Sequence, residues 1–421
     1  MAGGKGTRVQ SIAPDLPKPM IPILGKPILQ YQIENLVRYH INDIILVVGY
    51  QKQAIIDYFQ DGSKFNAHIS YIVEDIPLGT GGALYYLKEI KEDFLFLFGD
   101  LIFDIDFDRF IAFHKSNNAT ITLFGHPNSH PYDSDLLITD LNNRLIGIID
   151  KSSERKYYYH NLTNAGIYCL NPFALRHIFS PLPMSFEKDI LQPLITTDNV
   201  FVYRSTEYVK DAGTIDRIEK VQADLANGIV AAKNLSQPQK AIFLDRDGTI
   251  NEYKDKTYVT TPESLVLLPN SSEAISLINL SQYLAIVITN QPIIARGEIT
   301  IDELNTIHYK METELGNDGA YLDDLFYCPH HPDKGFPGEI SELKIKCNCR
   351  KPKIGLFEQA SQKYNISLKD SWMIGDNEKD IKAGKRGNMH TIYVKSGSNF
   401  PLNIEPDYIT NDLLEAVRRI L

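Results

Sequence analysis

Short apolar runs alternate along the chain with stretches whose apolar residues recur at helical spacing. The runs at 44–50, 94–100 and 240–244 predict buried strands that end in turns. Residues 216–228 (DRIEKVQADLANG) show helical periodicity and finish on a glycine, so they predict a helix and its stop. This alternation of strand and helix occurs twice, which predicts two α/β regions.

The polar, proline-containing stretch 234–239 (NLSQPQ) separates the two regions and predicts a linker. We therefore expect one domain over 1–233 and a second over 240–421. A chain of 421 residues is long enough for two domains with a core each. We expect a mixed sheet in the first domain and a Rossmann-like sheet in the second.

Composition limits the classes of partner. The net charge of −10 argues against binding to nucleic acid. No run of 18 apolar residues and no signal peptide is found, so we expect no membrane partner. Only four cysteines occur, and three of them lie within 22 residues, which predicts a metal site in a reducing, cytoplasmic compartment rather than a disulfide framework.

The most informative segment is AIFLDRDGTI at 241–250, a short apolar strand followed by Asp245, Asp247 and Gly248. Ligands bind at the carboxyl ends of strands in open parallel sheets. Two carboxylates there can hold Mg²⁺, with one acting as nucleophile and the other as general acid and base. The alternative is a solvated turn at the end of a strand.

Three later segments support the catalytic interpretation: TNQ at 289–291, CRKPK at 349–353 and GDNEKD at 375–380. Together the four segments resemble the motifs of haloacid dehalogenase-like phosphatases, over roughly 239–421. Only 43 residues lie between Asp245 and Thr289, so the chain resembles minimally capped members.

That resemblance implies residue roles. Asp245 would attack phosphorus, Asp247 would act as acid and base, Thr289 would hold phosphoryl oxygens and Lys351 would neutralise their charge. Mg²⁺ would bind Asp245, Asp376 and the carbonyl of Asp247. The substrate contacts that it implies are Asn290, Gln291, Arg296 and Arg350.

Residues 328–349 combine Cys-x-His with Cys-x-Cys across a loop of 16 residues. Two tight pairs of N and S ligands suit tetrahedral Zn²⁺, and four protein ligands suit a structural rather than a catalytic ion. We predict as ligands Cys328, His330, Cys347 and Cys349, with His331 as a substitute for His330. The alternative is a chance group of cysteines in a loop.

This zinc loop followed by Arg-Lys-Pro resembles the heptose-bisphosphate and histidinol-phosphate branch of the phosphatases. Tyr258-Val259 and Pro262-Glu263 are placed as in the heptose-bisphosphate enzymes. One departure is Pro292-Ile293, where Ser-Gly is usual in that branch. A histidinol-phosphate-type activity stays open. A nucleotidyltransferase as the first domain would argue against it.

The first domain begins MAGGKGTRVQ and continues with PKPM at 17–20, GKP at 25–27, PLGTGGAL at 77–84, SFEKDIL at 185–191 and KDAGTIDR at 210–217. Glycines let backbone amides approach phosphates, and nearby cations supply charge. The set resembles sugar-1-phosphate nucleotidyltransferases over residues 1 to about 230.

That resemblance also implies roles. Phosphate contacts would come from Gly3, Gly4, Gly6, Arg8, Lys18 and Lys26, and base or ribose contacts from Gly79, Thr80 and Gly81. Glu187 and Lys188 would hold the sugar and its phosphate, and Asp100 and Asp211 would share Mg²⁺.

In that family an apolar strand precedes the glycine-rich loop, whereas here the loop follows Met1 directly. We expect the natural chain to have about five to eight further residues that form this strand. The alternative is a first domain that binds nucleotide without catalysing transfer.

The two resemblances together imply a bifunctional enzyme. The second domain would remove the 7-phosphate of D-glycero-D-manno-heptose 1,7-bisphosphate, and the first would transfer a nucleotidyl group to heptose 1-phosphate. The expected ligands are sugar phosphates, Mg²⁺, structural Zn²⁺ and a nucleoside triphosphate, with GTP suggested by the pairing of activities. The product would supply lipopolysaccharide or another surface glycan.

Overall fold

A computed structural model describes residues 1–3, 16–253, 257–397 and 402–421. The chain divides into two compact units. The first comprises Met1–His126, Leu137–Ile149 and Asn164–Asn234, and the second comprises Pro127–Leu136, Asp150–Thr163 and Leu235–Leu421. Two short segments from the first half of the sequence thus belong to the second unit.

The first half of the chain contains the following elements. Its strands are β1 (Pro22–Ile23), β2 (Lys26–Pro27), β3 (Asp43–Val48), β4 (His68–Val73), β5 (Phe94–Leu97), β6 (Leu101–Asp104), β7 (Ile121–His126), β8 (Leu136–Thr139), β9 (Leu145–Ile149), β10 (Thr163–Leu170), β11 (Val200–Arg204) and β12 (Tyr208–Asp211). Its α-helices are α1 (Ile28–Arg38), α2 (Lys52–Phe59), α3 (Phe107–Ser116), α4 (Gln192–Leu194), α5 (Ile215–Ala226) and α6 (Ile229–Ala232).

The largest sheet of this half has the order β11-β7-β10-β8-β9, with β5 also paired to β10. β7 and β11 are parallel, whereas β5 and β10 are antiparallel. The predicted mixed sheet is therefore confirmed. Helix α5 covers most of the predicted 216–228 segment, and Thr214 caps its start by accepting from the Arg217 N–H.

Residues Met1–Gly3 lie between β3 and β5. The Ala2 N–H donates to the Val47 carbonyl at 2.8 Å, and the Met1 amine donates to the Leu97 carbonyl at 2.7 Å. A cavity of about 740 Å³ is lined by both strands and by Met1 and Ala2. Met1 and Ala2 thus make strand-like hydrogen bonds to β5 and β3, at one end of the cavity between these two strands.

The second half of the chain has these elements. Its strands are β13 (Lys240–Leu244), β14 (Tyr283–Asn290), β15 (Asp324–Cys328), β16 (Trp372–Gly375), β17 (His390–Val394) and β18 (Tyr408–Thr410). Its α-helices are α7 (Ser271–Asn279), α8 (Ile301–Asn317), α9 (Gly355–Tyr364), α10 (Glu378–Arg386) and α11 (Leu413–Ile420). Within the described ranges, no helix is long and apolar enough to cross a bilayer.

These strands form one sheet in the order β15-β14-β13-β16-β17-β18, and every recorded pair is parallel. Strand β13 has the predicted bounds. Its residues alternate between two apolar clusters, with Ile242 and Leu244 in one and Ala241 and Phe243 in the other. A strand buried on both faces is typical of a doubly covered parallel sheet, so the predicted α/β class is confirmed.

Replacing Phe243 should destabilise the second unit. The ring is fully buried and packs edge-on against Phe357 with centroids 5.0 Å apart. Phe243→Ala should cost about 3–5 kcal/mol of unfolding free energy, measured by denaturant titration, because it leaves a cavity. Leu280→Ala is the control, since that side chain is 47% exposed, and an equal loss in both variants would contradict the assignment of Phe243 to the core.

Candidate active sites

The predicted phosphatase residues meet at the carboxyl edge of the second sheet. Asp245 follows β13 directly, Thr289 lies near the end of β14, and Asp376 follows β16. β13 pairs with β14 on one side and with β16 on the other. Three segments far apart in sequence therefore deliver their side chains to one pocket of about 60 Å³.

Lys351 is the buried cation of this pocket. Its Nζ lies 2.9 Å from Asp245 Oδ1 and 2.7 Å from Asp380 Oδ1, and it donates to the Ile288 carbonyl at 2.7 Å. Burial alone would lower the pKa of Lys351, but the two carboxylates raise it. The amine thus remains protonated and offsets the negative charge of the site.

Asp380 belongs to this cluster, although no role was predicted for it from the sequence. Carboxylate oxygens of Asp245, Asp376 and Asp380 lie within 4.8 Å of one another, an arrangement that could hold a cation. Burial, followed by the charge of Asp245, raises the pKa of Asp380. The GDNEKD segment could have indicated this role, because it places Asp380 about one helical turn after Asp376.

Asn290 and Gln291 orient their neighbours. The Asn290 side chain donates to the Lys351 carbonyl at 3.1 Å and accepts from the Lys351 N–H at 2.9 Å. Gln291 donates to Asp247 Oδ2 at 2.9 Å and to Thr289 Oγ1 at 3.0 Å. Both residues were predicted to contact substrate, and here their amides hold Lys351, Asp247 and Thr289.

A positively charged rim borders the pocket. Arg350, Lys379 and Tyr258 line it, and Arg296 lies 5.6 Å from the centre of the Tyr258 ring. Burial lowers the pKa of Lys379, and the positive charge of Arg350 lowers it further. Lys379 was not predicted from sequence, because it lies next to the motif acids rather than in a basic pattern.

Gly248 keeps the turn after β13 clear of Asp376. Its φ is +83°, and a Cβ built on it would lie 2.3 Å from Asp376 Oδ2. The turn therefore needs glycine both for its backbone conformation and for space.

Gly248→Ala should displace Asp376 and lower phosphatase turnover on the order of 10²-fold, because small displacements in an active site are costly. Gly319→Ala is a matched control, since its φ is +80° and no atom lies within 4 Å of the new Cβ. Steady-state kinetics of both variants test this. Equal activity in the two variants would show that Asp376 does not need its present position.

The predicted zinc ligands form a compact cluster. Ligand atoms of Cys328, His330, Cys347 and Cys349 lie within 4.8 Å of one another. The Cys328 sulfur is 3.6 Å from Cys347 Sγ and 3.2 Å from Cys349 Sγ, and His330 Nδ1 is 3.2 Å from Cys349 Sγ. Sulfur atoms on one tetrahedral zinc would lie about 3.8 Å apart, so this donor set fits the ion.

Thiol chemistry at the cluster agrees with that fit. The hydrogen bond between the sulfurs of Cys328 and Cys349 lowers the pKa of Cys349 to about 5 and raises that of Cys328. The lowered pKa of Cys349 favours the thiolate, which is the form of cysteine that binds metal. His331, the predicted substitute, instead accepts from the Asp333 N–H at 3.2 Å.

Cys347→Ser should release zinc and lower phosphatase activity, because Cys349 is followed directly by Arg350 and Lys351. Elemental analysis and phosphate release measure the two effects. Cys169→Ala is the control, since this buried cysteine lies outside the cluster. Freshly purified protein with full activity and no zinc would refute the assignment.

Transferase candidates converge at β6 and β12. Asp100 precedes β6 and Asp211 ends β12, and the Ala212 N–H donates to the Asp100 carbonyl at 2.9 Å. Lys18 pairs with Asp100, and Arg217 pairs with Asp211. Burial raises the pKa of Asp211, but the two cations lower it by more, and Arg217 contributes most of that lowering. Arg217 had no predicted role, although it ends the KDAGTIDR segment.

The second glycine loop packs against the predicted sugar segment. Glu187 accepts from Tyr168 Oη at 3.1 Å and from Thr80 Oγ1 at 3.4 Å. The Gly81 N–H donates to the Met184 carbonyl at 2.9 Å, and a Cβ on Gly79 would lie 2.4 Å from that same oxygen. Loop and sugar segment thus form one surface, on which the Lys188 N–H donates to Ser185 Oγ.

Two of the other predicted phosphate contacts, Lys26 and Gly3, belong to the described residues. Lys26 pairs with Glu34 at 2.7 Å and lies over the Tyr31 ring. Gly3 is described, whereas Gly4, Gly6 and Arg8 lie outside the described residues.

Comparison with known proteins identifies both halves. A nucleotidyl transferase family model matches residues 1–228, and a HAD-hydrolase-like model matches 348–416. The D-glycero-beta-D-manno-heptose-1,7-bisphosphate 7-phosphatase of Pasteurella multocida is 37% identical over 180 residues, covering 42% of this chain and 93% of that protein. The chain belongs to the nucleotidyl transferase family in its first half and to this phosphatase family in its second. The predicted membership of each half is thereby confirmed.

Two further relatives match the first half. The bifunctional protein GlmU of Methanococcus vannielii is 34% identical over 221 residues, covering 51% of each chain. The mannose-1-phosphate guanylyltransferase of Mycobacterium tuberculosis is 28% identical over 239 residues, covering 56% of this chain and 66% of that protein. The chain thus spans about half the length of GlmU.

Proposed function

We propose that this chain carries two consecutive activities of nucleotide-activated heptose synthesis. The second half hydrolyses the 7-phosphate of D-glycero-D-manno-heptose 1,7-bisphosphate, and the first half transfers a guanylyl group from GTP to heptose 1-phosphate. The main support is the arrangement of Asp245, Lys351 and Asp376 in one pocket, in a region related over nearly its full length to a heptose-bisphosphate phosphatase.

In the phosphatase reaction, an Asp245 oxygen attacks phosphorus and forms an aspartyl-phosphate while the bond to the sugar oxygen breaks. Asp247 donates a proton to that oxygen and later removes one from the attacking water. Lys351 and Thr289 hold the phosphoryl oxygens.

Magnesium fits the phosphatase pocket because its donors are carboxylate oxygens, which this ion prefers. Asp245 and Asp376 would hold it together with the Asp247 carbonyl, and Asp380 lies close enough to take part. When bound, the ion would offset the charge of the phosphoryl group. The rim residues Arg350, Arg296 and Lys379 would attract the substrate's remaining phosphate.

In the transferase reaction, a heptose 1-phosphate oxygen attacks the α-phosphorus of GTP and pyrophosphate leaves. Lys18 and Arg217 are placed to offset the negative charge of Asp100 and Asp211 and to orient the two carboxylates that would hold Mg²⁺. Glu187, with its partners Tyr168 and Thr80, would accept from sugar hydroxyls. Guanine is supported by the guanylyltransferase relative.

Removal of the 7-phosphate should precede nucleotidyl transfer. The segment 185–191 contains two acids, Glu187 and Asp189, and one base, Lys188. Asp189 is held by the Ser185 N–H at 2.7 Å, so it stays on this surface. A second phosphate brought there would meet like charge.

Two single substitutions should separate the activities. With the bisphosphate, GTP and Mg²⁺, Asp245→Asn should lower phosphate release by at least ~10³-fold, because it removes the nucleophile. It should also block formation of the nucleotide sugar from the bisphosphate but not from heptose 1-phosphate. Asp100→Asn should stop transfer and leave phosphate release intact. Mass spectrometry of the products checks each outcome.

Each variant serves as the folding control for the other. The proposal is wrong if Asp245→Asn retains more than a tenth of the wild-type phosphatase rate, or converts bisphosphate to nucleotide sugar at the wild-type rate. Hydrolysis of histidinol phosphate in preference to the heptose bisphosphate would instead assign the second half to the other predicted branch.

A further inference from the structure

Arg246, which stands between the two motif aspartates, is the largest fully buried side chain of the described residues. A guanidinium stays protonated at any physiological pH and offers five N–H donors. Its complete burial is therefore costly unless acceptors surround it. The acceptors around the guanidinium therefore indicate the role of Arg246.

Arg246 donates hydrogen bonds to both oxygens of the neighbouring Asp247 carboxylate. Its Nε lies 3.0 Å from Asp247 Oδ1, and its Nη2 lies 2.9 Å from Oδ1 and 2.9 Å from Oδ2. Two amides complete the contacts: Asn251 donates to Oδ1 at 3.0 Å and Gln291 donates to Oδ2 at 2.9 Å. The predicted acid/base carboxylate is thus fixed in position and rotation by three side chains.

The other end of the guanidinium points at His308, on helix α8. Arg246 Nη1 and His308 Nε2 are 3.1 Å apart, and His308 is only 5% exposed. Because arginine can only donate, Nε2 must be the acceptor, so the proton of the neutral ring is on Nδ1. Burial and the adjacent guanidinium also lower the pKa of His308 well below its usual value, which agrees with a neutral ring.

We propose that His308 and Arg246 are positioning residues that hold Asp247 for both proton transfers of the phosphatase reaction. His308 receives the distal N–H of the guanidinium, which frees the other edge to face Asp247. If His308 cannot accept, Nη1 is left buried without this partner, and the guanidinium must turn to find another. Asp247 then loses its two-point contact. The inference rests on the proposed function only in naming Asp247 as acid and base.

The two chemical steps respond differently to a misplaced Asp247. In the first, the Asp245–phosphorus bond forms as the bond to the leaving oxygen breaks, and Asp247 protonates that oxygen. In the second, water attacks phosphorus, its proton passes to Asp247, and the bond to Asp245 breaks with release of phosphate. A nitrophenolate leaving group needs no proton, so with p-nitrophenyl phosphate only the second step depends on Asp247.

The test compares His308→Leu with His308→Gln in the full chain. Leucine cannot accept a hydrogen bond, whereas the glutamine carbonyl can. For the heptose bisphosphate, His308→Leu should lower kcat between ~10 and ~10²-fold with KM changed less than ~3-fold, as expected for partial loss of acid/base catalysis. With p-nitrophenyl phosphate it should give a burst of nitrophenol and accumulate aspartyl-phosphate. His308→Gln should restore kcat to within ~3-fold of wild type.

Three results would overturn the inference. They are wild-type kcat in His308→Leu, equal loss on both substrates without accumulated phosphoenzyme, and failure of His308→Gln to recover. An unfolding midpoint and a circular dichroism spectrum like those of the wild type show that both variants are folded. Wild-type protein that hydrolyses p-nitrophenyl phosphate but not the bisphosphate would refute the proposed substrate alone, and the comparison of the two His308 variants would still decide the positioning role.

Discussion

The phosphatase half depends on one buried ion pair network, in which Lys351 lies between Asp245 and Asp380. Three carboxylates whose oxygens lie within 4.8 Å would repel one another strongly in a buried pocket. A single buried amine offsets part of that charge and fixes two of the three side chains. The site is thereby organised before substrate or cation arrives, which is how electrostatic catalysis avoids reorganisation during the reaction.

Several features of the second unit serve to place that amine. Asn290 at the end of β14 pairs with both backbone groups of Lys351, which ties the loop to the sheet edge. Cys349 lies two residues earlier in the zinc cluster, so a metal there would fix the chain just before the amine. This explains why a structural cluster and a catalytic pocket share one short segment.

Sequence patterns predicted the parts of this site that are local. The apolar run before Asp245, the Cys and His spacing and the acidic segment at 375–380 each lie within a few residues, so their elements could be anticipated. Asp380 and His308 were missed, because their partners lie far away in sequence: Asp380 pairs with Lys351, and Arg246 and His308 are 62 residues apart. In the other site Arg217 was missed although its partner Asp211 lies in the same short segment. Lys26, which was predicted to contact phosphate, pairs with Glu34, a partner that the motif did not indicate.

The two candidate sites use the same physical arrangement on unrelated sheets. In each, carboxylates at strand ends are paired with basic side chains, Lys351 in one and Lys18 with Arg217 in the other. A phosphate ligand and a cation must both enter such a site, so neither charge can be fully neutralised beforehand. Partial neutralisation resolves this conflict, because the carboxylates keep oxygens for a cation while the positive charge of the basic side chains stays close to the phosphate. Phosphoryl and nucleotidyl transfer both need this balance, and so both chemistries are compatible with the sites of this chain.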